Sequence, residues 1–354
     1  MSKKIQAIQG LRGVAIILIV LWHLNSLFPL ILPPLGDRGV EFFLIISGFL
    51  VAAKHLNGNS LNKFSGSMRY SFNKIKQLYP LYILSALPMI FLAVRKINDF
   101  SGIIDIAKKT VLYGLVVQSW IPNENYYWAI NGVTWFLSTI AFCYIATPFV
   151  FYILKKIRGI NTLLLCLILK FTIEIICSQF LSESLATYFT YIFPVYRLFD
   201  YAMGICLFDL LEQKNEYEGD IPQTGSKSRS ILFIVVLIAY VVLVFFGKNV
   251  YLYSIYHISE LAIVWLIVSE RTIVSKFLLE NKIVVWIGNI SMEIFLTHLP
   301  VISYLSIVWE KVLGKNLPAV EWLVILAVIF MVAAITNKIL SVFRNRKRQS
   351  AKSQ

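Results

Sequence analysis

The chain predicts an all-α fold, a polytopic membrane helix bundle of about ten transmembrane helices with both termini cytoplasmic. Three observations carry this reading. Of 354 residues, 58% are hydrophobic, and the mean hydropathy is +0.72, well above a soluble chain of this length. Apolar runs near 20 residues, the length that crosses a bilayer, recur from end to end. Lysine and arginine fall in short clusters between those runs. That distribution explains the net charge of +14 as membrane topology and argues against nucleic acid as a partner.

The spans fall at about 11–31, 38–56, 78–97, 134–154, 161–180, 190–211, 230–247, 251–269, 284–307 and 319–342. Gly48, Pro88, Pro194, Gly204 and Pro300 interrupt several of them, which neighbouring helices can tolerate by satisfying the freed backbone groups. The first run follows Lys3 and Lys4 but is long and has no small-x-small cleavage site, so it reads as an uncleaved helix. Ile103–Gln118 carries Asp105, Lys108 and Lys109 and reads as an interfacial or re-entrant helix. Glu212–Ser230 is polar and rich in Gly, Ser, Lys and Glu, which predicts a flexible cytoplasmic loop. Residues 1–343 make the membrane domain, and 344–354 a basic tail expected to be disordered against anionic lipid.

With the N-terminus inside, twenty-two lysines and arginines lie on the cytoplasmic side and eight outside. This asymmetry orients the chain and requires an even number of spans. The four cysteines, Cys143, Cys166, Cys177 and Cys206, lie within apolar runs without zinc spacing and read as small hydrophobes.

Arg12 and His23 stand inside the first apolar run. Eleven residues are close to three helical turns, so both share one face, roughly 16 Å apart along the axis. Ionisable groups at such a depth are costly unless they face a cavity or a partner. Either they form a site, or Arg12 snorkels to the headgroups and His23 binds a carbonyl.

The second span begins Gly36-Asp37-Arg38-Gly39-Val40-Glu41-Phe42-Phe43 and continues to Ser47-Gly48-Phe49-Leu50. An arginine, ten residues, a histidine, then a glycine-rich turn, an acidic residue, Phe-Phe and Ser-Gly-Phe-Leu resembles the acyltransferase-3 family of integral membrane acyltransferases. Tyr79-Pro80-Leu81-Tyr82, Trp135-Phe136-Leu137-Ser138 with Tyr144 and Pro148, and Gly288-Asn289-Ile290-Ser291 through Leu296-Thr297-His298 extend the resemblance over most of the chain. It departs from the family in two places. Lys74 and Gln77 stand where the family often has Arg-x-x-Arg, and a lysine lacks the bidentate fork of arginine. Ile140 stands where many members have a glutamate. The fused extracytoplasmic esterase-like domain of some relatives is not expected here.

The resemblance implies a bacterial inner-membrane enzyme that moves an acyl group, usually acetyl, onto an extracytoplasmic glycan such as lipopolysaccharide O-antigen or exopolysaccharide. The donor is acetyl-CoA or another acyl-CoA, and the acceptor a glycan or lipid-linked saccharide, with membrane lipid around both. Acyl transfer to a hydroxyl needs a base and charge stabilisation. His23 is the candidate base, since imidazole titrates near neutrality. Arg12 is the candidate anchor for donor phosphate, with Lys74 and Lys76 beside it. Glu41 either orients His23 or balances Arg38. Arg38, Ser47, Trp128, Trp135 and His298 are the candidate acceptor-binding residues, although Ser47-Gly48 also suits close helix packing. No metal is expected.

The aromatics Trp120, Tyr126, Tyr127, Trp128 and Trp135 read as an interfacial belt or as a sugar-stacking platform. Lys170 with Glu174, and Arg197 with Asp200, are spaced to neutralise one another. His257 with Glu260 reads as bundle packing. A transporter or flippase of a polysaccharide precursor would use the same charged helices but should show inverted repeats, and none is legible.

Overall fold

The computed structural model describes residues 3–25, 33, 35–58, 60–213, 227–246, 253–269, 273–313 and 319–350. In chain order the helices are α1 (Lys3–Asn25), α2 (Leu35–His55), α3 (Phe64–Val94), α4 (Phe100–Gly114), α5 (Glu124–Tyr127), α6 (Trp135–Lys156), α7 (Gly159–Phe180), α8 (Glu183–Thr187), α9 (Pro194–Gln213), α10 (Lys227–Phe246), α11 (Tyr253–Ser269), α12 (Ile273–Leu279), α13 (Lys282–Asn289), α14 (Ser291–Leu313) and α15 (Ala319–Ser350). Short 3-10 turns at Gln118–Trp120 and Gly132–Thr134 and a π turn at Tyr188–Ile192 join them. Among the described residues, seven helices are long and apolar enough to cross a membrane. The chain is a multi-pass membrane protein, and its backbone polar groups are satisfied within helices, as hydrocarbon requires.

Each predicted span overlaps a helix, with differences that have causes. The third span was expected from residue 78, but α3 starts at Phe64. Its polar first turns are helical because Ser71 bonds to the Ala141 carbonyl of α6 and Ser67 to that of Leu61. The ninth span is not continuous. It breaks at Ile290, between α13 and α14. Gly288 sits against the Gln9 backbone of α1, where a Cβ would collide, so α13 is held flat on α1 while α14 starts afresh at Ser291. The helix expected at Ile103–Gln118 runs instead from Phe100 to Gly114, capped by Asp99, whose side chain accepts from the Gly102 N–H at 2.9 Å. The hydrogen bonds from Ser101 and Gly102 hold that carboxyl below its usual range. The basic tail is helical through Ser350 rather than disordered, because Arg, Lys and Gln are good helix formers continuing an existing helix. Residues 214–226, within the expected flexible loop, lie outside the described residues.

At the centre, α2 packs between α1 and α9. Gly48 and Gly204 make the second crossing possible: a Cβ at either would meet the other helix's backbone, at Tyr201 or Ile45. The Tyr79-Pro80-Leu81-Tyr82 motif fixes α4 to α3. Tyr79 bonds to the Gly114 carbonyl at 2.9 Å, and Tyr82 to that of Tyr113 at 2.7 Å while stacking on its ring at 4.1 Å. The four cysteines are buried as free thiols.

Candidate active site

A cavity of about 570 Å³ opens among the end of α1, the start of α2, the stretch before α6, and the α8–α9 segment. Trp22 and His23 form one wall, Trp128, Trp135 and Tyr191 another, and Asp37, Arg38, Glu41 and Arg197 lie deeper. The π turn contributes Thr190 and Tyr191. Its i→i+5 bond, Phe193 N–H to the Tyr188 carbonyl at 2.9 Å, widens the helix where the cavity needs its side chains.

His23 faces this cavity. Its Nδ1 lies 2.8 Å from the Ile19 carbonyl, four residues back on α1, and 3.4 Å from Nε2 of His298. A carbonyl can only accept, so Nδ1 carries the proton and Nε2 is the basic nitrogen. His23 is therefore oriented by Ile19 and His298. Glu41, expected either to orient His23 or to balance Arg38, does the second: it pairs with Arg38 at 2.7 Å and with Arg197 at 3.5 Å. Asp37, which sequence reasoning left unassigned, lines the cavity and is a carboxylate whose charge acts on His23.

Behind the cavity the charges form one buried network, and two sequence pairings are corrected there. Lys170 does not pair with Glu174. It reaches Asp200 on α9 at 2.6 Å and lies 3.8 Å over the Tyr196 ring. Glu174 instead takes the hydroxyls of Tyr196 and Ser254. The α7–α9 packing decides this by setting Asp200 against the Lys170 ammonium. Arg197 and Asp200 do pair, at 2.9 Å. His257 is more than packing: it bridges Asp200 at 3.1 Å and Glu260 at 2.8 Å. Three cations and four carboxylates share the network, and His257 between two of the carboxylates can carry the balancing proton. Glu41, His257 and Glu260 present ligand atoms within 4.8 Å of one another. Arg38 and Arg197 already face Glu41, and a metal ion there would meet their charge.

The aromatic wall divides the sequence cluster. Trp128 and Trp135 line the cavity, their rings 6.2 Å apart, with Tyr191 4.9 Å from Trp135. Trp120 packs on Phe142 and Phe193 instead, and Tyr127 is buried against Tyr188. The wall rests on Asn131, which donates to the Ser85 hydroxyl at 3.1 Å and the Leu296 carbonyl at 2.8 Å. Ile130, just before it, has φ 61°, a strained conformation for a β-branched residue that costs about 1–3 kcal/mol.

The other candidate residues gather toward the start of α1. Arg12 is half-buried and donates to Ser291 at 3.0 Å and to Gln9 at 3.4 Å, with its guanidinium 5.7 Å from the Phe43 ring. Ser291 belongs to the Gly288–Ser291 motif, so the chain's first and late motifs meet here. Ser47 does not line the cavity; its hydroxyl interacts with Tyr144 at the Arg12 end. Lys74, over the Tyr70 ring at 5.4 Å, is close enough to Arg12 and Lys54 to feel their charge. Lys76, by contrast, turns to Phe72 at 5.7 Å. His298 is fully buried against His23 and does not itself line the cavity. Lys54 and Tyr70 carry no motif, and only their positions in the fold mark them.

One helix therefore carries a basic side chain at Arg12 and, toward its other end, an aromatic-walled cavity at His23. Comparison with known proteins returned no match among curated proteins or solved structures. The model of an acyltransferase domain matches residues 5–338. Nearly the whole membrane core falls within that match, and the chain belongs to the acyltransferase 3 family: it is a membrane-bound acyltransferase.

Proposed function

We propose that the enzyme transfers an acyl group, acetyl in the simplest case, from cytoplasmic acyl-CoA to a hydroxyl of an extracytoplasmic glycan such as an O-antigen or exopolysaccharide. The bilayer in question is the bacterial inner membrane, crossed ten times with both termini inside. The observation that carries this reading is the placement of His23 on the wall of a cavity bounded by Trp128, Trp135 and Tyr191, with Arg12 eleven residues away on the same helix.

In this reading the donor phosphates bind at Arg12, with Lys74 beside it and Lys76 at the exposed surface. The pantetheine arm follows α1 over roughly 16 Å of helix rise. The glycan enters from the other face and stacks on Trp128 and Trp135, whose flat apolar rings suit the C–H faces of a sugar. His23 Nε2 takes the proton of the acceptor hydroxyl as its oxygen attacks the thioester carbonyl. The carbon–sulfur bond then breaks, and the proton passes to the departing thiolate. Arg38, Glu41 and Arg197 supply a fixed polar floor.

Labelled acetyl-CoA consumed by the purified protein in proteoliposomes, only when glycan is supplied on the opposite face, tests the reaction. Mass spectrometry of surface glycans from cells with and without the protein identifies the acceptor. Identical acylation in both cells would overturn the proposal.

A further inference from the structure

We infer that His298 is the positioning residue of a histidine dyad: it accepts from the His23 Nδ1–H and stabilises the imidazolium formed when His23 takes a proton. This rests on His23 being the base of the proposed reaction.

The argument is one of donors and acceptors. Each ring places Nδ1 against the carbonyl one turn back on its own helix, His23 to Ile19 at 2.8 Å and His298 to Ile294 at 3.0 Å. Carbonyl oxygens only accept, so both Nδ1 atoms carry hydrogen. In neutral His298 the lone pair is then on Nε2, and that atom lies 3.4 Å from His23 Nδ1. The rings meet edge to face, with centroids 5.0 Å apart. The His23 Nδ1–H is thus shared between Ile19 and His298, and its lone pair is directed to Nε2 on the cavity side.

When His23 receives the acceptor proton, its Nδ1–H becomes a stronger donor. His298 Nε2 is then an acceptor that is already in place. A base histidine ordinarily has a carboxylate in this position. Here the partner is a neutral ring, fully buried and next to Phe295. A carboxylate there would be a permanent charge among apolar side chains, whereas a second imidazole supplies the lone pair without one. Two charged imidazoles at this separation repel, so the pair holds a single extra proton, on the ring that faces the substrate.

The test uses the full-length protein in proteoliposomes, labelled with ¹⁵N-histidine, with the His23 signal assigned from a His23→Gln sample. Wild-type His23 should show the Nδ1–H tautomer, and an Nε2–H tautomer would overturn the dyad without any variant. His298→Leu should lower kcat by roughly 10- to 100-fold, as loss of an orienting partner does, leave both KM values unchanged, and shift the Nδ1–H resonance of protonated His23 upfield, because one of its two acceptors is gone while the Ile19 carbonyl keeps the tautomer. His298→Gln, whose amide oxygen can accept from Nδ1–H, should recover kcat to within about 5-fold of wild type. Unchanged kcat in His298→Leu would overturn the proposal. So would a loss of kcat with an unaltered Nδ1–H resonance of protonated His23, which would leave His298 a packing residue. If instead His23→Ala keeps full activity, the functional reading fails, while the wild-type tautomer still judges the dyad independently.

Discussion

Asn131 answers Pro300. The proline has no N–H for the Leu296 carbonyl one turn back, and the Asn131 side chain donates to that carbonyl at 2.8 Å. The hydrogen bond that Pro300 cannot make in α14 is therefore supplied by the turn that carries the aromatic wall of the cavity. Asn131→Leu leaves the carbonyl and the Ser85 hydroxyl without this donor in a buried setting. The expected destabilisation is about 1–3 kcal/mol, read as earlier thermal unfolding in detergent. An unchanged midpoint would mean that water or a neighbouring helix serves Leu296 instead.

His23→Ala should abolish transfer while the protein remains inserted and abundant. Removing a general base lowers the rate by about 10²- to 10⁴-fold. Acetyl transfer by purified protein, normalised to folded protein, checks this, and a loss of only a few fold would make His23 structural.

Arg12→Lys keeps the charge and loses the fork. It should raise the KM for acyl-CoA by about 10-fold, equivalent to about 1.4 kcal/mol, and leave the acceptor KM unchanged. Steady-state kinetics with donor and acceptor varied separately decide. If Arg12 only anchors α1 at the headgroups, lysine substitutes with no kinetic effect.

The network behind the cavity gives an asymmetric pair of variants. Lys170→Met strands Asp200 with one cation fewer in a fully buried site, and should destabilise by about 3–5 kcal/mol. Glu174→Gln still accepts from one of the Tyr196 and Ser254 hydroxyls and can donate its amide N–H to the other, and should lose about 1 kcal/mol. Equal losses in chemical denaturation would restore the Lys170–Glu174 pairing.

Topology is open to a direct check. The basic asymmetry predicts that a reporter fused after Arg344 reads cytoplasmic and one near Asn123 reads external. An external C-terminus would overturn the even number of spans.

The sequence by itself determined that the chain is an all-helical membrane protein, because period and composition are local properties that the bilayer enforces on every span. It also marked Arg12 and His23, since a charge or an imidazole inside an apolar run is visible without coordinates. The motifs pointed to the family, and Gly48 was legible as a close-packing glycine. The tertiary structure alone decided who pairs with whom. Lys170 and Glu174 look self-sufficient along one helix, yet their partners stand on other helices, Asp200 and Tyr196 on α9 and Ser254 on α11. Glu41 could have served either Arg38 or His23; Arg38 stands one turn away on α2, and the packing of α2 against α9 adds Arg197 as a second partner. Lys54 carries no motif, and His298 shows its relation to His23 only because the packing of α14 against α1 brings a residue 275 positions away to 3.4 Å. Local sequence fixes which side chains can do chemistry, but a buried charge or lone pair takes its partner from whichever helix the fold places beside it.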